Sequence, residues 1–136
     1  MTEAVLDASV VLKWFREAGE RNVGPARSLR AAFEAGELTV FAPPLLGLEI
    51  VNVAGRRWRC SESALVDLAT ALDELGFEQV EPELARVARW TARGLTAYDA
   101  AYVAVADREA IRLVTDDDLI VSTAPSIATA LADAGT

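Results

Sequence analysis

Short apolar runs alternate with longer segments of helical spacing along the whole chain. "EAVLD" reads as a strand ending at Asp7, and "ASVVLKWFREAG" as a helix stopped by Gly19. "PARSLRAAFEAGE" predicts a second helix, with Pro25 in its first turn and Gly36 at its end. "LTVFA" is a strand, and Pro43-Pro44 separate it from a helix that begins at Leu45. "SESALVDLATALDELG" opens on a capping pattern at Ser61 or Ser63 and ends in Gly76. "FEQVE" is a short strand, "ELARVARWTARG" a helix ending at Gly94, and "TAYDAAYVAVADREA" another helix. "IRLVT" is a strand that runs into Asp116-Asp117-Asp118, and the tail "PSIATALADAG" predicts a terminal helix.

Strands that alternate with helices predict an α/β fold, a parallel sheet with helices on both faces. No repeat, low-complexity tract or linker interrupts residues 1–136, so one domain is expected. In such sheets ligands bind at the carboxyl ends of the strands. Asp7 and the Asp116–Asp118 run both fall there, on different strands.

One residue breaks the pattern. In "LLGLEIVNVAG", Leu45 to Gly55, everything around Glu49 is apolar, small or neutral. At helical spacing Glu49 shares a face with Leu45, Asn52 and Val53, and the helix offers no solvated side, which predicts that it is buried all round. A buried glutamate needs a partner. An arginine of "GRRWR" is one candidate. The other is a set of further carboxylates, which cannot all ionise at close range without cations between them. Hard cations with oxygen ligands, Mg²⁺ or Mn²⁺, would supply that charge.

Composition narrows the chemistry. There is no histidine, which excludes His-based triads, acid–base pairs and zinc sites. The single cysteine, Cys60, excludes an internal disulfide and a CxxC metal site. Gly19 to Gly24 half-matches a phosphate loop, but Pro25 and Ala26 stand where Lys and Ser/Thr are required. The net charge of −8 disfavours unaided binding to nucleic acid, yet leaves open a nuclease that recruits divalent cations. No apolar run reaches membrane length, and "MTEAVLDAS" lacks the basic-then-apolar order of a signal peptide, so a cytoplasmic location is expected.

The other acids each have a plain structural role available. Asp7 precedes a helix and could be its N-cap. "TAYD" could be a capping box closed by Asp99, although Asp99 shares its face with Tyr102, Val103 and Ala106, which looks inward. The acidic triplet could be a turn with good capping residues.

Taken together, the acids resemble a known family. Asp7 in "VLDASVVLKWF", Glu49 in "PPLLGLEIVNV", Asp99 in "LTAYDAAYVAVA" and an Asp of "LVTDDDL" resemble, in order and spacing, the PIN-domain ribonucleases. The chain looks most like the toxin half of VapBC-type toxin–antitoxin pairs. The resemblance spans nearly the whole chain and implies an α/β/α sandwich in which the acids meet at the strands' carboxyl ends. It implies catalytic and metal-ligating roles for Asp7, Glu49, Asp99 and Asp117, the last because the family pattern reads hydroxyl, any residue, then Asp. Ser9 and Thr115 match supporting hydroxyl positions, and Asn52 a polar position near the cleft. Asp116 falls on the variable position, as a supporting residue turned more toward solvent, and Asp118 begins the next helix; the alternative sets Asp116 nearer the metals and Asp117 as the helix cap. The implied activity is endoribonuclease cleavage with Mg²⁺ or Mn²⁺, leaving a 5′-phosphate and a 3′-hydroxyl. The implied partners are RNA, a VapB-like antitoxin and a second copy of the chain.

Arg86, Arg89 and Arg93 recur on one helical face, and Arg56, Arg57 and Arg59 close the Glu49 helix. Both clusters read as solvated faces or helix-end cations, with contact to RNA phosphates as the alternative. Trp14, Trp58 and Trp90 read as core or interface residues. A phosphotransfer receiver domain would need a lysine on a late strand, whereas Lys13, the only lysine, lies in the first helix. A haloacid-dehalogenase-type phosphatase would need an Asp where Ser9 stands. A PIN-like interaction module without activity is the remaining alternative.

Overall fold

The computed structural model describes residues 2–134. Five parallel strands form its sheet: β1 (Thr2–Leu6), β2 (Leu38–Ala42), β3 (Glu78–Gln79), β4 (Arg112–Thr115) and β5 (Ala128–Ala130), in the spatial order β3-β2-β1-β4-β5. Seven helices connect them: α1 (Ala8–Phe15), α2 (Val23–Glu34), α3 (Leu45–Arg56), α4 (Glu62–Asp73), α5 (Leu84–Ala92), α6 (Ala97–Glu109) and α7 (Asp118–Thr123). This is the α/β architecture the alternation predicts.

The central strands read as unbroken apolar runs because helices cover both their faces. Ala4, Val5 and Leu6 of β1 and Leu113 and Val114 of β4 are all fully buried. α1 and α2 pack on one face, α5 and α6 on the other, as right-handed crossovers require when the connections run in opposite directions from the centre. That reversal occurs between β1 and β4. The chain leaves β1 toward one face and β4 toward the other, which opens a crevice at their carboxyl ends. The register sets Leu6 beside Val114, so Asp7 and Thr115 emerge as neighbours.

Three expectations are corrected. The first helix ends at Phe15 instead of reaching Gly19: Arg16 is extended and lies over the Trp58 ring at 5.4 Å, and the turn beyond brings Glu20 back to Lys13. The tail is not an α-helix: a strand, Ala128–Ala130, is followed by one 3-10 turn, Leu131–Asp133, and Gly135 lies outside the described residues. Ala128–Ala130 pair with β4 and cover an edge that would otherwise be open, a tertiary gain that overrides alanine's helix propensity. The Glu49 helix is not buried all round either. It buries Leu46, Ile50 and Ala54, while Leu48 is 71% exposed. The helix that is buried on every side is α6, where Ala100 to Ala106 are continuously buried. Its small residues let it lie close against β1, β2 and β4 while α5 covers its outer side.

Candidate active site

Asp7, Ser9, Glu49, Asn52, Asp99, Tyr102 and Asp117 line one cleft of about 250 Å³ at the carboxyl end of the sheet. They come from elements far apart in sequence. Asp7 follows β1, Glu49 lies on α3, Asp99 is in the first turn of α6, and Asp117 follows β4. Both helices point the right way for simple reasons: α3 starts where β2 ends, and α6 must return the chain to the start of β4.

Asp7 occupies the N-cap position of α1, but its side chain makes no capping bond. It is 4% exposed, and both carboxyl oxygens accept hydroxyl donors: Ser9 Oγ to Oδ1 at 2.6 Å and Thr115 Oγ1 to Oδ2 at 2.6 Å. Each hydroxyl in turn accepts an amide of the acidic turn, Asp116 N to Ser9 at 2.9 Å and Asp117 N to Thr115 at 3.0 Å. Two hydroxyl bridges thus tie Asp7 to the segment that carries Asp117. Thr96 caps α6 by accepting the Asp99 amide, which leaves the half-buried Asp99 carboxylate in the cleft.

The partner of Glu49 is Tyr102. The phenol donates to Glu49 Oε1 at 2.5 Å, and among the described residues no arginine pairs with Glu49. The inward face of α6 pointed to Tyr102 as a buried residue, but its role as this donor was legible only in three dimensions.

The four acids do not share their cleft comfortably. Burial pushes the Asp7 carboxyl up to about 6; the Ser9 and Thr115 hydrogen bonds oppose this, and the charges of Asp99 and Glu49 add to it. Burial also raises Glu49, against the Tyr102 hydrogen bond and with the charge of Asp99. Asp99 is raised by burial and by Asp117. Burial and the neighbouring Glu49 drive the Tyr102 phenol far upward, so it remains a donor. No lysine or arginine lines the cleft. A set of oxygen donors only, in which Asp7, Glu49 and Asp99 are raised first by burial and then by neighbouring negative charge, fits a hard divalent cation. Among the described residues, no three acids are drawn together into a ready-made metal cluster.

The acidic triplet divides its labour. Asp117 lines the cleft and also caps α7, its Oδ1 accepting the amides of Leu119 at 2.9 Å and Ile120 at 3.4 Å. Capping and facing the cleft, which the sequence presented as alternatives, coexist in one side chain. Asp118 begins α7 and is 94% exposed. Asp116 departs from expectation. Its side chain is only 11% exposed and turns away from the cleft onto Lys13, Arg21 and Asn22. Burial alone would raise its carboxyl, but the hydrogen bonds from Asn22, Lys13 and Arg21 together hold it below the usual range. The one sequence signal for this was the lone lysine within the apolar run "VVLKWF".

Neither arginine cluster lines the cleft. Arg86 bonds Glu83 and Asp107, and Arg93 lies over the Trp90 ring at 4.5 Å. Trp14 and Trp90 are buried, Trp14 against Phe33 and Phe77.

The PIN domain family model matches residues 4–124. The chain belongs to the PIN domain family. The PIN fold is also shared with solved structures. A Pyrobaculum aerophilum protein, PAE2754, is 23% identical, with 96% of this chain and 90% of that one aligned at a TM-score of 0.64. VapC20 of Mycobacterium tuberculosis, described as a toxin that cleaves the sarcin–ricin loop, is 19% identical, with 88% and 93% aligned at a TM-score of 0.67. Among curated protein sequences no relative matches.

Proposed function

We propose that this PIN domain is a metal-dependent endoribonuclease, the toxin of a VapBC-type pair. The carrying observation is that Asp7, Glu49, Asp99 and Asp117 reach one cleft from four separate elements with no basic side chain among them. These four would hold Mg²⁺ or Mn²⁺, with Ser9, Asn52 and Thr115 in support. Such an ion supplies positive charge against the scissile phosphate and makes water more acidic.

The chain's own residues prepare that site. Ser9 and Thr115 fix both oxygens of Asp7, so the carboxylate cannot rotate. Tyr102 holds Oε1 of Glu49, a residue of the cleft wall. Asp117 is anchored through Oδ1 by its cap on α7. With no histidine, no side chain serves as a neutral-pH imidazole base. An antitoxin is the natural partner of a chain with net charge −8 and an acidic cleft, and a basic side chain of it would compete with metal. Homodimerisation and a cytoplasmic location follow the same assignment. Exposed Leu48, Leu84 and Tyr98 offer apolar surface for a second copy, and no helix among the described residues is long and apolar enough to cross a membrane.

Cleavage of RNA with Mn²⁺, with EDTA, and by Glu49→Gln tests the reading. Cleavage should fall by orders of magnitude in the latter two. Full activity in EDTA would overturn metal dependence, and an inert wild-type protein would leave a PIN-fold interaction module.

A further inference from the structure

Every polar group of Asp116 is engaged: its carboxylate and carbonyl outside the cleft, and its amide on Ser9 at the cleft wall. Its carboxylate accepts Lys13 Nζ at 3.1 Å, Arg21 Nε at 3.2 Å and Asn22 Nδ2 at 2.9 Å. Its carbonyl accepts Arg21 Nη2 at 3.0 Å, and its amide donates to Ser9. The next amide, Asp117 N, donates to Thr115 Oγ1. The planar peptide unit joining Asp116 to Asp117 is therefore held at its C=O end by Arg21 and at its N–H end by Thr115. Fixing that plane fixes the N–Cα bond of Asp117, one of the two constraints on its side chain; the other is its cap on α7.

The arrangement is a poor source of net stability. Lys13 is 3% exposed, and a buried ion pair returns little beyond its own desolvation. Asn22 holds a left-handed backbone, φ 55°, which asparagine tolerates better than other side-chain-bearing residues but glycine adopts at still lower cost. What the network does achieve is orientation. It joins the α1–α2 connection to the β4–α7 turn across some 95 residues of sequence.

We propose that Lys13, Arg21 and Asn22 form a clamp on Asp116 that positions Asp117 in the acid cleft. They are positioning residues: none of them lines the cleft, and each acts through the turn. The inference rests on the metal-site reading only for its effect on ion affinity, since the orientation of the turn can be measured without metal.

The clean perturbation is Asn22→Gly. Glycine keeps the positive φ at less strain and removes only the amide that reaches Asp116. Asp116→Asn removes the charge that all three donors meet. Glu20→Gln is the control, because Glu20 bonds the same Lys13 at 2.9 Å without touching the turn. Two quantities are read: Mn²⁺ affinity by calorimetry, and metal-free hydrogen exchange at the Leu119 and Ile120 amides, which report where the Asp117 carboxylate sits. In Asn22→Gly and Asp116→Asn the exchange at these two amides should accelerate about tenfold, and the Mn²⁺ dissociation constant should rise about fivefold or more. The thermal midpoint of Asn22→Gly should not fall. Glu20→Gln should change neither quantity. Unaltered exchange in both test variants would overturn the clamp, as would equal changes in Glu20→Gln. Accelerated exchange in a protein that binds no Mn²⁺ would uphold the clamp and refute the metal-site reading.

Discussion

Replacing Asp7 by Asn should stabilise the metal-free protein near neutral pH. Asp7 is 4% exposed, and its carboxyl stands at about 6 against an ordinary 3.8. At pH above both values the folded protein holds a charge that the unfolded chain solvates more easily, and a difference of this size corresponds to about 3 kcal/mol. Asparagine is neutral and nearly isosteric, but its amide cannot accept the second hydroxyl donor, so a gain of about 1–3 kcal/mol is expected. For a chain of this length that is a rise of about 3–10 °C in thermal midpoint. The pH dependence carries the sign. The folded state binds the extra proton between pH 3.8 and about 6, so wild-type stability falls relative to the variant as pH rises through that window. Below the window the two should converge. The assay is thermal unfolding by circular dichroism in EDTA from about pH 3.5 to 8, repeated with excess Mn²⁺. A cation bound by the wild-type acids should shrink or reverse the gap, because ligand binding stabilises only the form that binds it. An Asp7→Asn protein less stable than wild type in EDTA at all pH values would show that charge repulsion and burial do not dominate this site.

Asp117→Asn should reduce cleavage at least about tenfold more than Asp116→Asn, near 1.4 kcal/mol in the barrier, because only Asp117 lines the cleft; equal rates would reject that division. Ala110 ends α6 with φ 56°, so Ala110→Gly should raise stability by about 0.5–1 kcal/mol in chemical denaturation; a loss of stability would contradict the strain assigned there. On the proposed toxin reading, titration with a basic C-terminal peptide of a VapB-like antitoxin should abolish RNA cleavage, and undiminished activity at saturation would reject occlusion of the acid cleft.

The sequence alone pointed to the fold class and singled out the acids that the fold brings to one cleft. Strand and helix periods in a chain with central runs such as "AVL" and "RLVT" admit little besides a covered parallel sheet, because local patterning dictates which faces must be buried. Glu49 announced itself as an acid in apolar surroundings, and Asp7 as one at a strand end, where parallel sheets place their ligands. Which plain role each acid also plays was decided only in three dimensions. Asp7 stands at a cap without capping, whereas Asp117 caps and faces the cleft together. Glu49 meets Tyr102, 53 residues away, and Asp116 meets Arg21 at 95 residues' distance. No local pattern encodes such separations. The tail shows the same limit: "ATALADAG" has helix propensity, but the open edge of β4 offers its backbone more than a helix could. All-round burial was assigned to α3 and belongs to α6, because a helix's apolar residues say that it can be covered, while the sheet and its neighbours decide which helix is.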